Sequence, residues 1–387
     1  MKTTKNIEIT KTTILNRTEN CGDIYTRRIN VAQKKCYIIF AKALCENELI
    51  LKGVMQDLLS VKEVGDDVIS YLMNEVITNA EVEACDDVET LIQDLLYGKV
   101  VVLIENEKKA LLVDVEKVVT RAITEPPTGV ISKGPREGFN ESIKMNMALI
   151  RKRLPSEKVV VKDFKIGRRT RTRVSLVYID DIADSGVVKK IEDKLNEIDV
   201  DGIIDSYYLV RYFSKRKKSI FKQVGNTEKP DVAVAKILEG RVAILVDGSP
   251  VVLTLPFILW EDFQNAEDYY SNYFRATFIR YLRFFGAMFS IFLPGLYVAL
   301  QLYHYSIIPI KFLVTIANTT QGLPFTPLFE VVFIIFLFEI LNEASLRMPK
   351  QLGMALSIIG ALVLGETAVQ AGIITPPSIV VVAISGS

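Results

Sequence analysis

The chain has 387 residues, 49% of them hydrophobic, and a formal net charge of +1, which is length enough for two or three domains. No basic block interleaved with aromatics is present, which excludes nucleic acid as an expected partner, and Lys215, Arg216, Lys217 and Lys218 read as a solvated helix end. His304 is the single histidine, and Cys21, Cys36, Cys45 and Cys85 lack a CxxC pair, so a histidine-based triad, a zinc site and a disulfide framework are set aside in favour of reduced cytosolic thiols; no cofactor or metal is expected.

Charge is unevenly spread. From Phe284 to Ser387 only Lys311, Glu330, Glu339, Glu343, Arg347, Lys350 and Glu366 are charged. One solvent cannot suit both parts, so a soluble region joined to a membrane region is expected. The fold class expected is an α/β or α+β soluble amino-terminal region of two subdomains, followed by an all-α transmembrane domain. The expected divisions are a flexible segment over 1–35, subdomains over 36–125 and 126–260, an interfacial helix over 261–283 and a membrane domain over 284–387. The first residues hold no apolar core of signal-peptide length, which keeps the first domain in the cytosol.

In chain order, CYIIF (36–40) reads as a strand and VETLIQDLLY (88–97) as a helix with Val88, Leu91, Ile92 and Leu95 on one face. GKVVVLIE and KALLVDV then form a hairpin. The unit recurs: DVAVAKILE (231–239) is helical, and GRVAILVD and VVLTL flank a Gly248-Ser249-Pro250 turn. Aligning Gly98 with Gly240 matches Leu103 to Leu245 and Leu111 to Leu253. This is either an internal repeat or a chance likeness of two hydrophobic hairpins. Between the copies, 124–139 reads as a Pro- and Gly-rich loop, and Asn140 as the cap of a helix with Ile143, Met147, Ile150 and Leu154 on its apolar face. Strands at 158–164 and 173–179 and a helix at 185–197 follow. Arg151, Lys152 and Arg153 fit charged helix-terminus residues better than a phosphate site.

The stretch GPREGFNESIKMNMALIRKRL (134–154) resembles the A subunits of the GerA-type spore germinant receptors. VYIDDIAD (177–184), KILEGRVAILVDGSPVVLTLPF (236–257), LPGLYVAL (293–300), FEILNEASLRMP (338–349) and SIIGALVLGETAVQAGI (357–373) continue the resemblance in family order. It implies a cytosol-facing two-subdomain region on a multi-pass membrane domain in the inner spore membrane. It also implies assembly as a homo-oligomer with a B-type transporter-like subunit and a C-type lipoprotein subunit, a response to a nutrient germinant, and an ion-conducting pore. Family members continue past the position matching Ser387, whereas this chain stops within PSIVVVAISGS, so a membrane domain cut short is expected. In the motif loop Gly134, Pro135, Arg136, Glu137, Gly138 and Phe139, the charges Arg136 and Glu137 between two glycines suit a contact with a ligand or a neighbouring subunit. Alternatively the glycines shape a tight turn and Arg136 makes an internal salt bridge.

Residues 261–283 mix Phe263, Tyr269, Tyr270, Tyr273, Phe274 and Tyr281 with Arg275, Arg280 and Arg283, which suits a helix among lipid headgroups or a packed helix of the soluble domain. Phe284 to Tyr303 is an uncharged span with Pro294 and Gly295 inside it, and the arginines before it place the amino terminus in the cytosol. Residues 307–327, broken by prolines and Gly322, read as a short or re-entrant helix. Residues 328–344 form a second span or an interfacial helix, with Glu339 and Glu343 on one face that must meet protein, water or headgroups. In 353–372, Gly353, Ser357, Ala361 and Gly365 make a stripe for close helix packing, and Glu366 and Gln370 lie one position around from it. Glu366 then faces a pore, or sits at the membrane edge.

The first expectation is a receptor and channel subunit; the alternatives are an accessory component of a dipicolinate-release path and a structural scaffold. An enzyme is not expected, because no Walker loop and no GxGxxG after a strand occur.

Overall fold

The computed structural model describes residues 2–64, 67–79, 81–115, 134–214, 218–347, 360 and 365–386, and divides into two units, Met1–Tyr270 and Ser271–Ser387. In the first unit β1 (Ile24–Val31), β2 (Lys34–Ala41), β3 (Val82–Cys85), β4 (Lys99–Ile104) and β5 (Ala110–Asp114) form one antiparallel sheet in the order β1-β2-β4-β5-β3. β6 (Val159–Ile166), β7 (Thr172–Ile179), β8 (Gly225–Thr227), β9 (Val242–Val246) and β10 (Val252–Leu255) form a second, in the order β6-β7-β9-β10-β8. The second order repeats the first strand for strand, so the repeat extends well beyond the expected helix and hairpin. Antiparallel pairing makes the region α+β rather than α/β.

Both sheets are covered on two faces, which is why their central strands are apolar throughout rather than alternating. In the first, Val101, Leu103 and Leu112 face α1 (Ile7–Arg17) and α2 (Val88–Tyr97), while Val100, Val102 and Leu111 face the short helical segments Gln56–Ser60 and Val68–Tyr71. The Asp87 side chain accepts from the Thr90 N–H at 3.2 Å to start α2, and Gly98 at φ 105° ends it. In the second sheet, α3 (Ile143–Arg153) and α6 (Pro230–Leu238) cover one face, and α4 (Ser185–Glu197) and α5 (Tyr207–Phe213) the other. Gly240, at φ 87°, takes the place of Gly98 after α6. The start of α3 departs from expectation: Ser142 rather than Asn140 is its cap residue, and the Ile143 N–H donates to Asp247 Oδ1 at 3.2 Å.

Two expected divisions are corrected. Residues 1–35 are not a loose segment, since they supply α1 and the edge strand β1. They look polar because β1 buries little of its outer face, with Arg27 and Arg28 both exposed. Residues 261–283 are not one helix: a 3₁₀ turn at Leu259–Phe263 and a helical turn at Ala266–Tyr269 precede α7 (Tyr273–Leu302).

The subdomains are joined by a buried ion pair. Arg151 of α3, 0% exposed, donates from Nε and Nη2 to the two carboxylate oxygens of Asp23 at 3.1 and 2.7 Å. Its remaining donors reach the Ser156 and Val159 carbonyls at 3.1 and 3.4 Å. Cys21 forms an isolated parallel bridge with Val161 on β6. Any Cβ on the adjoining Gly22 would lie 2.4 Å from the Val161 carbonyl oxygen, so only glycine allows the approach. Arg17 and Glu157 add a bidentate pair at 3.1 and 2.8 Å at the rim.

A second buried carboxylate fixes the end of this unit. Glu261 accepts from the Ile258 N–H at 2.8 Å, lies 2.8 Å from Lys236 Nζ of α6, and pairs with Arg241. Arg241 also donates to the Pro256 carbonyl at 2.7 Å, and the Tyr270 hydroxyl donates to Asp231 at 2.8 Å. The linker is therefore packed against α6 and β9. Burial pushes the Glu261 carboxyl upward, but the Lys236 ammonium, the Ile258 N–H and Arg241 outweigh it and hold the pKa below the ordinary value of 4.5.

In the second unit α7 is followed by α8 (Ile310–Thr320), α9 (Pro327–Leu346) and α10 (Pro376–Ser385). Pro309 opens α8 and Gly322, at φ 83°, lies just past it, as the broken pattern of 307–327 implied. Tyr297, Val298, Ile316, Val331, Ile334, Ile374 and Val382 form its core.

Asp23→Ala leaves a buried guanidinium without its anion, and a loss of about 3–5 kcal/mol is expected. The measurement is a lowered denaturation midpoint at unchanged slope. Because the Glu261 pKa is lowered in the folded state, its contribution is present above pH 4.5 and is lost as pH falls through the folded value. Glu261→Gln is expected to flatten the acid side of the melting temperature against pH and to leave the alkaline side unchanged in shape.

Candidate functional site

The motif loop is held mainly by its own fold. Gly134, at φ 118°, turns the chain, and Pro135 is half-buried beside it. Glu137 pairs with Arg153 of α3. Gly138 is buried, and the Phe139 N–H donates to the Glu228 carbonyl at 2.7 Å while its ring packs with Ile143, Met147 and Ile150. Glu137 and Phe139 thus do structural duty, and Arg136 is the exposed charge of the loop. The residues of the expected loop before Gly134 lie outside the described residues.

Where the linker leaves α6, a cleft of about 200 Å³ opens, lined in part by Lys222, Asp231, Lys236, Phe257, Glu261 and Tyr270. Lys222 Nζ sits 5.2 Å from the Phe257 ring centre, and burial lowers its pKa. Burial, with the Asp231 carboxylate, pushes the Tyr270 phenol up to about 12, which keeps it a neutral donor to that carboxylate. The cleft is mixed in charge and offers a small polar molecule both signs and an aromatic wall.

In the second unit, one helix among the described residues is long and apolar enough to cross a membrane, α7, with Pro294 inside it. Its first turns expose Tyr273, Phe274, Phe278 and Tyr281. α9 has the length of a span but carries Glu330, Glu339 and Glu343. Glu339 is exposed, and exposed Glu343 pairs with Arg347 at 2.7 Å. Residues 365–370 are helical, and Gln370 Nε2 donates to Glu366 Oε1 at 3.2 Å, both side chains exposed. At Gly365 a Cβ would meet Ile379 at 3.9 Å, an ordinary contact. Gly353, Ser357 and Ala361 lie outside the described residues. Gly360, adjacent to that stripe, would bring a Cβ to 3.2 Å from Leu341 of α9.

The buried polar residues of this unit were not singled out from the sequence. Glu330, 1% exposed in the first turn of α9, accepts from the Thr375 N–H. The Thr375 and Ser378 hydroxyls lie 2.8 Å apart, and Ser378 Oγ donates to the Tyr297 hydroxyl at 3.4 Å. This chain of contacts ties α7, α9 and α10 together. The one available signal was Glu330 itself, a carboxylate three residues after Pro327 in a stretch otherwise nearly free of charge.

The family described as Bacillus/Clostridium GerA spore germination protein matches residues 12–386. Spore germination protein KA of Bacillus subtilis (strain 168) is 34% identical over 385 residues, covering 98% of this chain and 70% of that protein. Spore germination protein GerLA of Bacillus cereus is 33% identical, covering 94% of this chain and 75% of that protein. The uncharacterized membrane protein YfkQ of Bacillus subtilis (strain 168) is 32% identical, covering 95% and 72%. Among solved structures, the N-terminal domain of the A subunit of the Bacillus megaterium spore germinant receptor GerK3 matches with a TM-score of 0.52 at 26% identity, over 67% of this chain and 98% of that one. The chain belongs to the GerA family of spore germination proteins.

Proposed function

We propose that the chain is the membrane subunit of a nutrient-sensing spore germination receptor that oligomerises to form or gate an ion-conducting pore when a germinant binds. The observation that carries this is the composite build of one chain. A region like a germinant-receptor A-subunit domain leads directly into a 30-residue apolar helix and a charge-poor helical unit. The Arg151–Asp23 clamp and the Glu261 network stiffen the amino-terminal unit internally, which suits a mechanical role for it.

In this reading the helical unit lies in the inner spore membrane with more than one pass. Arg275, Arg280 and Arg283 ahead of the first span keep the amino-terminal unit in the cytosol. Exposed Glu339, Glu343, Glu366 and Gln370 meet water or a neighbouring copy rather than lipid, and Glu366 with Gln370 lines the ion path. Gly353, Ser357, Ala361 and Gly365 pack against a neighbouring helix. The motif loop from Gly134 to Phe139 contacts a partner subunit of the B or C type, or a germinant held mainly on such a subunit.

The test is cation release from spores that carry this chain with its neighbouring subunits and no other receptor, as nutrients are added singly. Release triggered by a single nutrient, and slowed by Glu366→Gln at unchanged protein level, is the expected result. No release with any nutrient despite stable assembly would overturn the channel reading in favour of an accessory or scaffold role.

A further inference from the structure

Glu330 poses an electrostatic problem that its own contacts leave open. The carboxylate is buried, its single partner among the described residues is the Thr375 N–H, and no described cationic side chain pairs with it. A desolvated carboxylate with one donor is strongly unfavourable unless positive charge reaches it.

A cavity of about 410 Å³ adjoins it, lined among others by Gln301, Tyr305, Ala317, Thr320, Pro327 and Glu330. Three further features of this cavity are negative in character. Gln301 Oε1 is buried with no hydrogen-bond partner among the described residues. The Thr320 hydroxyl donates to the Ile316 carbonyl at 2.9 Å, so lone pairs are what it offers elsewhere. Gln301 lies in the last turn of α7, and Ala317 and Thr320 in the last turn of α8, so two helix carboxyl ends with their partial negative charge converge here. The amino end of α9, at Pro327, opposes them with one positive end, which offsets only part of a formal charge and two dipoles.

We propose that this cavity is a binding site for a monovalent alkali cation, held by the Glu330 carboxylate with Gln301 Oε1 and Thr320 Oγ1 as neutral oxygen ligands. All the ligands are hard oxygens, which suits an alkali ion. A divalent ion would call for more than one carboxylate. Carboxyl ends of helices and side-chain oxygens are a recurrent way of holding such ions in helical domains. Glu330 also carries the Thr375, Ser378 and Tyr297 contacts, so occupancy of the site stabilises the arrangement of α7, α9 and α10. The site rests on the helical unit alone and does not require that the chain conduct ions.

The test uses the purified full chain in detergent. Its thermal midpoint is followed as sodium or potassium chloride replaces choline chloride at constant ionic strength. The midpoint is expected to rise with the alkali ion and stay flat in choline. Glu330→Gln, which can still accept from Thr375, is expected to abolish the rise. Gln301→Leu is expected to raise the half-effect concentration about tenfold, the loss of one contact to a charged group, while Glu339→Gln keeps the wild-type response. If Glu330→Gln does not fold, Gln301→Leu and sodium-23 line broadening by the wild-type chain decide the matter. Equal midpoints in choline and alkali salts would overturn the site. So would an alkali response retained in Glu330→Gln, or a midpoint that follows pH alone, which would make a proton the compensating charge.

Discussion

Arg151 and Asp23 are 128 residues apart in sequence and meet as a two-point ion pair inside the protein. The amino-terminal unit depends on that pair. Asp23 stands one residue before β1, the edge of the first sheet, and Arg151 near the end of α3, which packs on the second. A planar guanidinium with all its directions engaged fixes distance and angle together, which a single-point contact would not. The cost of burying it is met by four oxygens, two of them backbone carbonyls. Around it, Gly22 and Val161 come too close for any side chain between them. The two repeated sheets are thereby held in one register rather than joined by a flexible tether.

The same chemistry recurs at the linker with the signs exchanged. There the buried group is a carboxylate, Glu261, and the partners are Lys236 and Arg241. In each place a buried charge ties an irregular segment to a regular one, where apolar contacts alone would allow sliding. The helical unit follows a different rule. It has few charges; on its surface Glu343 pairs with Arg347 one turn along α9, and one carboxylate, Glu330, is turned inward.

Much of the fold was legible because its signals are local. The apolar period marked α2, recurrence of the unit marked α6, and the aligned glycines 98 and 240 both proved to be left-handed helix ends. β1 was missed because an edge strand half open to water reads as polar loop. The stretch 261–283 read as one helix because its aromatics and arginines run on without a Gly or Pro, whereas Asn265 and Asn272 each cap a new helical start within it. In the candidate site, Glu137 and Phe139 were recognisable as a motif, but nothing in their spacing says that one pairs with Arg153 and the other fills a core. Arg151 looked like one of three helix-end charges, and only its burial separates it from Lys152.

The sequence by itself determined the division between charged and charge-poor regions, the helix and hairpin units with their glycine stops, and the family. The first two follow from composition and periodicity, and the family from motifs whose wording resembles it. Tertiary structure alone decided that the repeat embraces two whole sheets, that Arg151 finds Asp23, and that Glu330 meets Thr375 beside the same cavity as Gln301. The physical reason is that burial and long-range pairing depend on which surfaces meet, and residues 45 or 128 positions apart carry no local mark of their partner.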